Sequence, residues 1–423
     1  MQANESTSKR RQFLKSSALL FGAAAVTLRG HAQSGRGHGA ETINRSDYWD
    51  QVRAQFTFSE AAVPMNAANL CPAFRAVTDA ANNLTEDIDF DCSFNNRAKF
   101  GELLEQARAL VAAQLNVSSD EIALVRNTSE ANNIVNNGLA LEPGDEVLLW
   151  DQNHPTNNVA WEVRAARFGT RVRKVTTPAA PADPQQLVDA FVREMSAATR
   201  VLSITHVSNV SGVRLPIAEL VAAAHSRGIY VHVDGAQTWG AMALDLKQLG
   251  VDSFTASAHK WYMGPKEVGL LYVREDNIPR IWPSVIAPGW GNDVEADPIG
   301  ARKFESLGQR DDAALAALAL TAQLHDQIGP ARIEARVVEL SSALKQGVLD
   351  AGLTLVTPAD PQLSHGVCIT QVPGNARGSL ANRLYTEYGI AGAATGGLRL
   401  CPTIYNTHGH IERAVAALAE MLA

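Results

Sequence analysis

The sequence predicts an α/β fold, with parallel strands alternating with helices, followed by a smaller α+β domain toward the C-terminal end. Three observations predict it. Short β-branched runs bounded by glycine, such as residues 229–233 between Gly228 and Gly235, read as buried strands. Segments with apolar residues at helical spacing, among them 97–115 and 216–228, stand between such runs. From about Pro283 the rhythm changes to loops and then to long helices with short strands.

Taken in order, residues 46–56 read as a short helix with Ser46 as N-cap, and 97–115 as a surface helix ending before Asn116. A strand over 122–126 leads into Asn127-Thr128-Ser129-Glu130, which opens the next helix. Gly144-Asp145-Glu146 turns into a strand over 147–150, with His154 in the segment beyond its end. A strand over 201–205, the helix over 216–228 and the strand over 229–233 make a right-handed βαβ unit. Residues 253–258 and 268–273 supply two more strands, the second after the turn Gly264-Pro265. Past the loops at 288–291 and 304–311 come helices over 313–328 and 331–347 and strands over 353–356 and 366–371. A helix from Ser379, the strand around Arg399 closed by Pro402, and a final helix from Ile411 complete the chain. The division this implies is 46–285 for the large domain, with its N-terminal segment reaching the small one, and 286–423 for the small domain.

A chain of 423 residues suits two domains and a core large enough to need no disulfide framework. Its net charge of -7 provides no basic stripe, which argues against a nucleic acid partner. Cys71, Cys92, Cys368 and Cys401 lie far apart without metal-ligand spacing and read as free thiols. Residues 1–32 differ in kind: Arg10-Arg11-Gln12-Phe13-Leu14, an apolar run over 18–26 and the small-residue site Gly30-His31-Ala32 make a twin-arginine export signal cleaved after Ala32. Residues 33–45 read as a flexible leader. No later run is long enough to span a bilayer, so the mature chain is expected free of the membrane in the bacterial periplasm, with the twin-arginine translocase as its partner during export. That route carries folded proteins, and so suits one loaded with a cofactor.

The chemistry concentrates between residues 229 and 273. Asp234 closes one strand, on the side where an α/β sheet builds its sites, and Lys260 follows the next strand directly. A lysine amine condenses with an aldehyde to a Schiff base, and a carboxylate facing a pyridine nitrogen keeps that nitrogen protonated, so the ring draws electrons from a substrate carbon. Pyridoxal 5'-phosphate (PLP) is the cofactor that uses this pair. Taken alone, Asp234 is equally a helix cap and Lys260 a solvated charge. The ordered set Asp234-Gly235-Ala236-Gln237 and Ser257-Ala258-His259-Lys260 favours the cofactor.

With these motifs the chain resembles the class V aminotransferases of PLP fold type I, the family of the cysteine desulfurases and isopenicillin N epimerase, from about Tyr48 onward. The resemblance implies a large domain with a mostly parallel seven-stranded sheet between helices. It implies that Lys260 binds the cofactor and acts as acid and base, that Asp234 faces the ring nitrogen and that His154 stacks on the ring and moves protons. It places the phosphate on Thr128, Ser129, Ser257 and His259, where a helix N-terminus favours an anion. Asn209 and Gln237 would meet the phenolic oxygen, Arg399 would clamp a substrate carboxylate with its planar fork, and Asn69 would stand at the substrate mouth. Gln309 stands where the family often has threonine, in a loop that reaches the neighbouring active site of a homodimer.

Cysteine desulfurases need a mobile thiol on the loop before the clamp arginine, and residues 389–397 hold none. What remains is chemistry at the α-carbon of a small or peptide-linked amino acid, as in the isopenicillin N epimerase branch. The export signal adds a resemblance to periplasmic members that convert the glutamyl side chain of a pyoverdine siderophore to succinamide. A C–S lyase, racemase or aminotransferase on a small amino acid is the alternative, and a binding protein that has kept the fold a remote one.

Overall fold

A computed structural model describes residues 45–287 and 300–422. The export signal, nearly all of the leader and the loop 288–291 lie outside the described residues. The element order is α1 (Arg45–Arg53), β1 (Val63–Pro64), α2 (Arg75–Phe90), α3 (Phe94–Arg97), α4 (Lys99–Gln114), β2 (Ile122–Val125), α5 (Thr128–Gly138), β3 (Glu146–Trp150), α6 (Pro155–Phe168), β4 (Arg171–Val175), α7 (Pro184–Glu194), β5 (Thr199–Thr205), α8 (Ile217–His225), β6 (Tyr230–Asp234), α9 (Leu246–Leu249), β7 (Ser253–Ser257) and β8 (Gly269–Val273). Then come α10 (Asp312–Ile328), α11 (Pro330–Asp350), β9 (Cys368–Thr370), α12 (Arg377–Tyr388), β10 (Ile390–Ala391), β11 (Leu398–Leu400) and α13 (His408–Leu422).

The central sheet has seven strands in the order β2-β8-β7-β6-β5-β3-β4, and only β8 runs against the others. Its strands are buried along their length except at Arg200 of β5 and in the edge strand β4, where Arg171, Arg173 and Lys174 put charge on the free margin. The α/β class with a mostly parallel sheet, expected from the alternation of strands and helices, is the observed architecture. Register brings the strand ends together: Thr205 of β5 pairs with Asp234 of β6, and Asp234 with Thr255 of β7. Helices on either face cover the sheet through two apolar clusters, one around Trp150, Phe191 and Phe254 and one around Val147, Trp161 and Leu271.

The C-terminal part packs α11, α12 and α13 on the antiparallel pair β9–β11, with Leu340, Leu384 and Leu398 in its core. β1 joins this region by pairing in parallel with β10, Val63 opposite Ile390. Several boundaries differ from the sequence reading. α1 begins at Arg45, so Ser46 lies within the helix and is not its cap. Residues 353–356 form no strand: they make one isolated bridge, Leu355 opposite Thr370, flanked by backbone bonds from Val356 N to the Ile369 carbonyl and from Gln371 N to the Thr354 carbonyl. Helices α2, α6 and α7 and strand β4 are additional to those read from the sequence. All four cysteines are free. Among the described residues no helix is long and apolar enough to cross a membrane, and no cluster suits a metal ion.

Candidate active site

The ends of β5, β6 and β7 and the first turns of α5 and α6 surround a cavity of about 250 Å³. Asn69, Thr128, Ser129, His154, Asn209, Asp234, Gln237, Ser257, His259 and Lys260 line it, so ten of the residues singled out from sequence meet in one place. Arg399 sits close enough for its charge to act on Lys260 and His154. Gln309 stands apart: it is exposed, accepts from Arg97 Nη2 at 2.9 Å and donates to the Arg310 carbonyl at 2.9 Å.

Each side chain is positioned by its element. Asp234 ends β6 and is 2% exposed, with both carboxylate oxygens held: the Ala236 amide donates to Oδ1 at 3.0 Å and Asn132 Nδ2 donates to Oδ2 at 3.0 Å. Gly235 makes the turn possible, because a Cβ there would stand 1.8 Å from the Phe254 ring. Asn127 caps α5, its side chain accepting from the Glu130 amide. The next amide, Thr128 N, donates to Ser257 Oγ at 2.8 Å, and the Thr128 and Ser257 hydroxyls lie 2.7 Å apart, so a helix N-terminus and two hydroxyls converge. His154 precedes Pro155 at the start of α6; its Nδ1 is 2.7 Å from Thr156 Oγ1 and accepts from the Thr156 amide at 3.3 Å.

Burial dominates the electrostatics. Desolvation pushes the Lys260 ammonium below its ordinary range, the carboxylate of Asp234 opposes this, and Arg399 adds to it. The result favours the neutral amine, which is the nucleophilic form. Desolvation likewise lowers His154, against the pull of Asp234, and lowers His259 to about 4.

Arg399, in β11, is 4% exposed and held on two sides: Nη1 donates to the Asn209 carbonyl at 2.9 Å and Nη2 to Asn66 Oδ1 at 3.0 Å. Its Nε–H is buried without a protein partner, and the fork retains donors for a carboxylate. Gln237 is more constrained than expected, since its amide donates to the Ala68 carbonyl at 3.1 Å and accepts from Trp261 Nε1 at 2.8 Å. One amide N–H remains for a ligand oxygen.

Four residues that hold the site were not read from the sequence. Asn132, Asn66 and Thr156 are polar residues at the start of helices or in loops, where caps and solvated side chains are common. His232 lies two residues before Asp234, on the same face of β6, and its burial in a strand was the available signal.

The model of the aminotransferase class-V family matches residues 74–414. The chain belongs to that family. It is similar to the isopenicillin N epimerase of Streptomyces clavuligerus, at 30% identity over 392 residues covering 88% of this chain and 97% of that protein. A probable cysteine desulfurase of Methanothermobacter thermautotrophicus is 32% identical over 62% of this chain and 66% of its own length. Among solved structures, a C-DES mutant with glycine covalently linked to the PLP cofactor shares the fold at a TM-score of 0.79, with 24% identity over 87% of this chain and 99% of that one. An apo cysteine desulfurase from Thermococcus onnurineus does so at 0.78, with 22% identity over 88% and 97%.

This class V protein is thus a PLP-dependent enzyme of fold type I. Its donor set fits the cofactor. An anion-seeking helix start with the Thr128, Ser129 and Ser257 hydroxyls suits a phosphate, a doubly held carboxylate suits a pyridine N–H, and a desolvated lysine suits an aldehyde.

Proposed function

We propose that this class V enzyme acts, after export to the periplasm, at the α-carbon of an amino-acid group whose carboxylate rests on Arg399. The observation that carries this reading is the buried Arg399 guanidinium, fixed by Asn66 and Asn209 with its Nε–H unpartnered, beside Lys260. Bound to Lys260, PLP supplies an electron sink for the α-carbon. The protein does the rest. Arg399 holds the carboxylate and so sets which α-carbon bond is aligned; Lys260, whose amine burial shifts toward the neutral form, takes and returns a proton; His154, lining the same cavity, shuttles protons beside it. Asp234 and its two donors orient the cofactor's ring, and Thr128, Ser129, Ser257 and His259 hold its phosphate.

A sulfur relay is disfavoured. Residues 389–397 carry no cysteine, and burial raises Cys71 and Cys368 to about 12 and pushes Cys401 up as well, which disfavours the thiolate at all three. Cys92 is exposed but is absent from the cavity lining. The substrate we favour is the glutamyl side chain of a pyoverdine siderophore, converted to succinamide. That change removes the α-carboxylate as carbon dioxide; dioxygen balances it, one atom entering the amide and the other leaving as water. A homodimer completes the arrangement, with exposed Gln309 offered to the neighbouring phosphate.

The test has two parts. Borohydride reduction of the yellow holoenzyme followed by peptide mass spectrometry is expected to place the PLP adduct on Lys260; an adduct elsewhere sinks the site. Incubating the holoenzyme in air with a glutamyl-bearing pyoverdine is expected to give the succinamide form with uptake of dioxygen. Unchanged siderophore, together with pyruvate, sulfide or inverted stereochemistry from free amino acids, would assign a C–S lyase or racemase instead.

A further inference from the structure

Behind Asp234 lies a set of buried polar side chains that is absent from the cavity lining. Asn132 of α5 donates from Nδ2 to Asp234 Oδ2 at 3.0 Å. Its carbonyl oxygen is met by Thr255 Oγ1 at 2.6 Å and by His232 Nε2 at 3.0 Å. His232 Nδ1 in turn lies 2.7 Å from Ser253 Oγ. Asn132 is 2% exposed, and His232, Ser253 and Thr255 are fully buried.

Donor and acceptor chemistry fixes the direction of every bond in this set. An amide oxygen only accepts, so both Thr255 and His232 donate to Asn132. His232 therefore carries its proton on Nε2. Burial lowers it to about 4, so it is neutral at working pH, and its Nδ1 accepts from the Ser253 hydroxyl. Hydrogens thus run one way, from Ser253 through His232 to Asn132, with Thr255 joining there, and from Asn132 to Asp234. Bonds in series polarise one another, so the last one, to the charged oxygen, is strengthened by those before it. The Asn132 amide has no freedom to flip, since its reversed form would set its carbonyl oxygen against Asp234 Oδ2, an acceptor against an acceptor.

We propose that Asn132 is the positioning residue for the bond between Asp234 and the cofactor's ring nitrogen, with His232 and Thr255 as the donors that lock its amide. The proposal deepens the PLP reading and rests on it. The Ala236 amide holds Oδ1 in place, but a single bond leaves the carboxylate free to turn about its Cβ–Cγ axis; Asn132 removes that rotation. Four elements, α5, β6, β7 and the turn after β6, are thereby committed to the orientation of one carboxyl group.

The experiment uses holoenzyme reconstituted with PLP labelled with ¹⁵N in the ring. In the wild type the ¹⁵N resonance is expected at the position of a protonated, hydrogen-bonded pyridine. Asn132→Ala is expected to move it toward the unprotonated position and to weaken PLP binding roughly tenfold or more, from the loss of a hydrogen bond to a charged group. Thr255→Val keeps Asn132 in contact with Asp234 but removes one lock, and is expected to shift the resonance in the same direction by less. Reduction with borohydride reports separately whether PLP is joined to Lys260, so a failure of the cofactor site is distinguished from a failure of this proposal. A wild-type ¹⁵N position in both variants, with PLP on Lys260, would overturn it. Because Asn132→Ala leaves the buried His232 Nε2–H without its acceptor, Thr255→Val with an unchanged melting temperature serves as the arm free of folding effects.

Discussion

The Nδ1 of His154 lies 2.7 Å from Thr156 Oγ1 and also accepts the Thr156 amide, so the neutral imidazole carries its proton on Nε2. Burial keeps His154 below its ordinary value of 6.5. The acid limb of the pH profile for kcat/KM is therefore expected below pH 6.5. Replacing His154 by Asn is expected to remove that limb and to cut activity by about 10²–10⁴-fold, the usual worth of a positioned acid–base group. An unchanged limb in the variant would assign it to another group.

Arg399→Lys preserves the charge but not the fork. A lysine cannot reach Asn66, the Asn209 carbonyl and a substrate carboxylate at once. Steady-state kinetics are expected to show kcat/KM reduced by about 10–100-fold, mostly through KM, while the yellow colour of the holoenzyme persists. A variant with wild-type KM would show that the carboxylate binds elsewhere.

Gly235 follows Asp234 against the tip of the Phe254 ring, whose Cζ, Cε2 and Cε1 atoms lie 1.8–2.6 Å from where a Cβ would stand. Phe254 is itself fully buried in the sheet core. Gly235→Ala is expected to destabilise the protein by about 1–3 kcal/mol through overpacking, read by urea unfolding, and to displace Asp234 with it. Adding Phe254→Leu is expected to recover part of the loss.

Acid should weaken the fold through four buried histidines. His206 is lowered to about 3, and His232, His325 and His365 each to about 4, burial being the first cause in every case. In the unfolded chain these groups take up protons near pH 6.5, whereas in the fold they do so only at their lowered values, so the unfolded state binds more protons in between. Stability is full above pH 6.5 and falls as the pH drops toward 4, by on the order of 2 kcal/mol per histidine at pH 5. Chemical denaturation at pH 7.5 and pH 5 checks this; equal midpoints would contradict it.

The strand runs at 122–126 and 229–233, Asp234 at the end of β6, Lys260 after β7 and Thr128 at a helix start were all legible in the chain, because strand period, helix caps and short motifs are encoded by neighbours in sequence. Helix α2 and strand β4 were not. α2 buries only Val77, and β4 is an edge strand rich in arginine and lysine. The antiparallel course of β8, the single-bridge fate of residues 353–356 and the order of the seven strands also came only from the fold.

The amino-acid order by itself determined which groups are available at strand ends and which kind of cofactor they suit. Tertiary structure alone decided who holds those groups: Asn132 reaches Asp234 across 102 positions, and Arg399 meets Asn66 across 333. Such pairings depend on register and packing between distant segments, and no local propensity of either residue announces its partner.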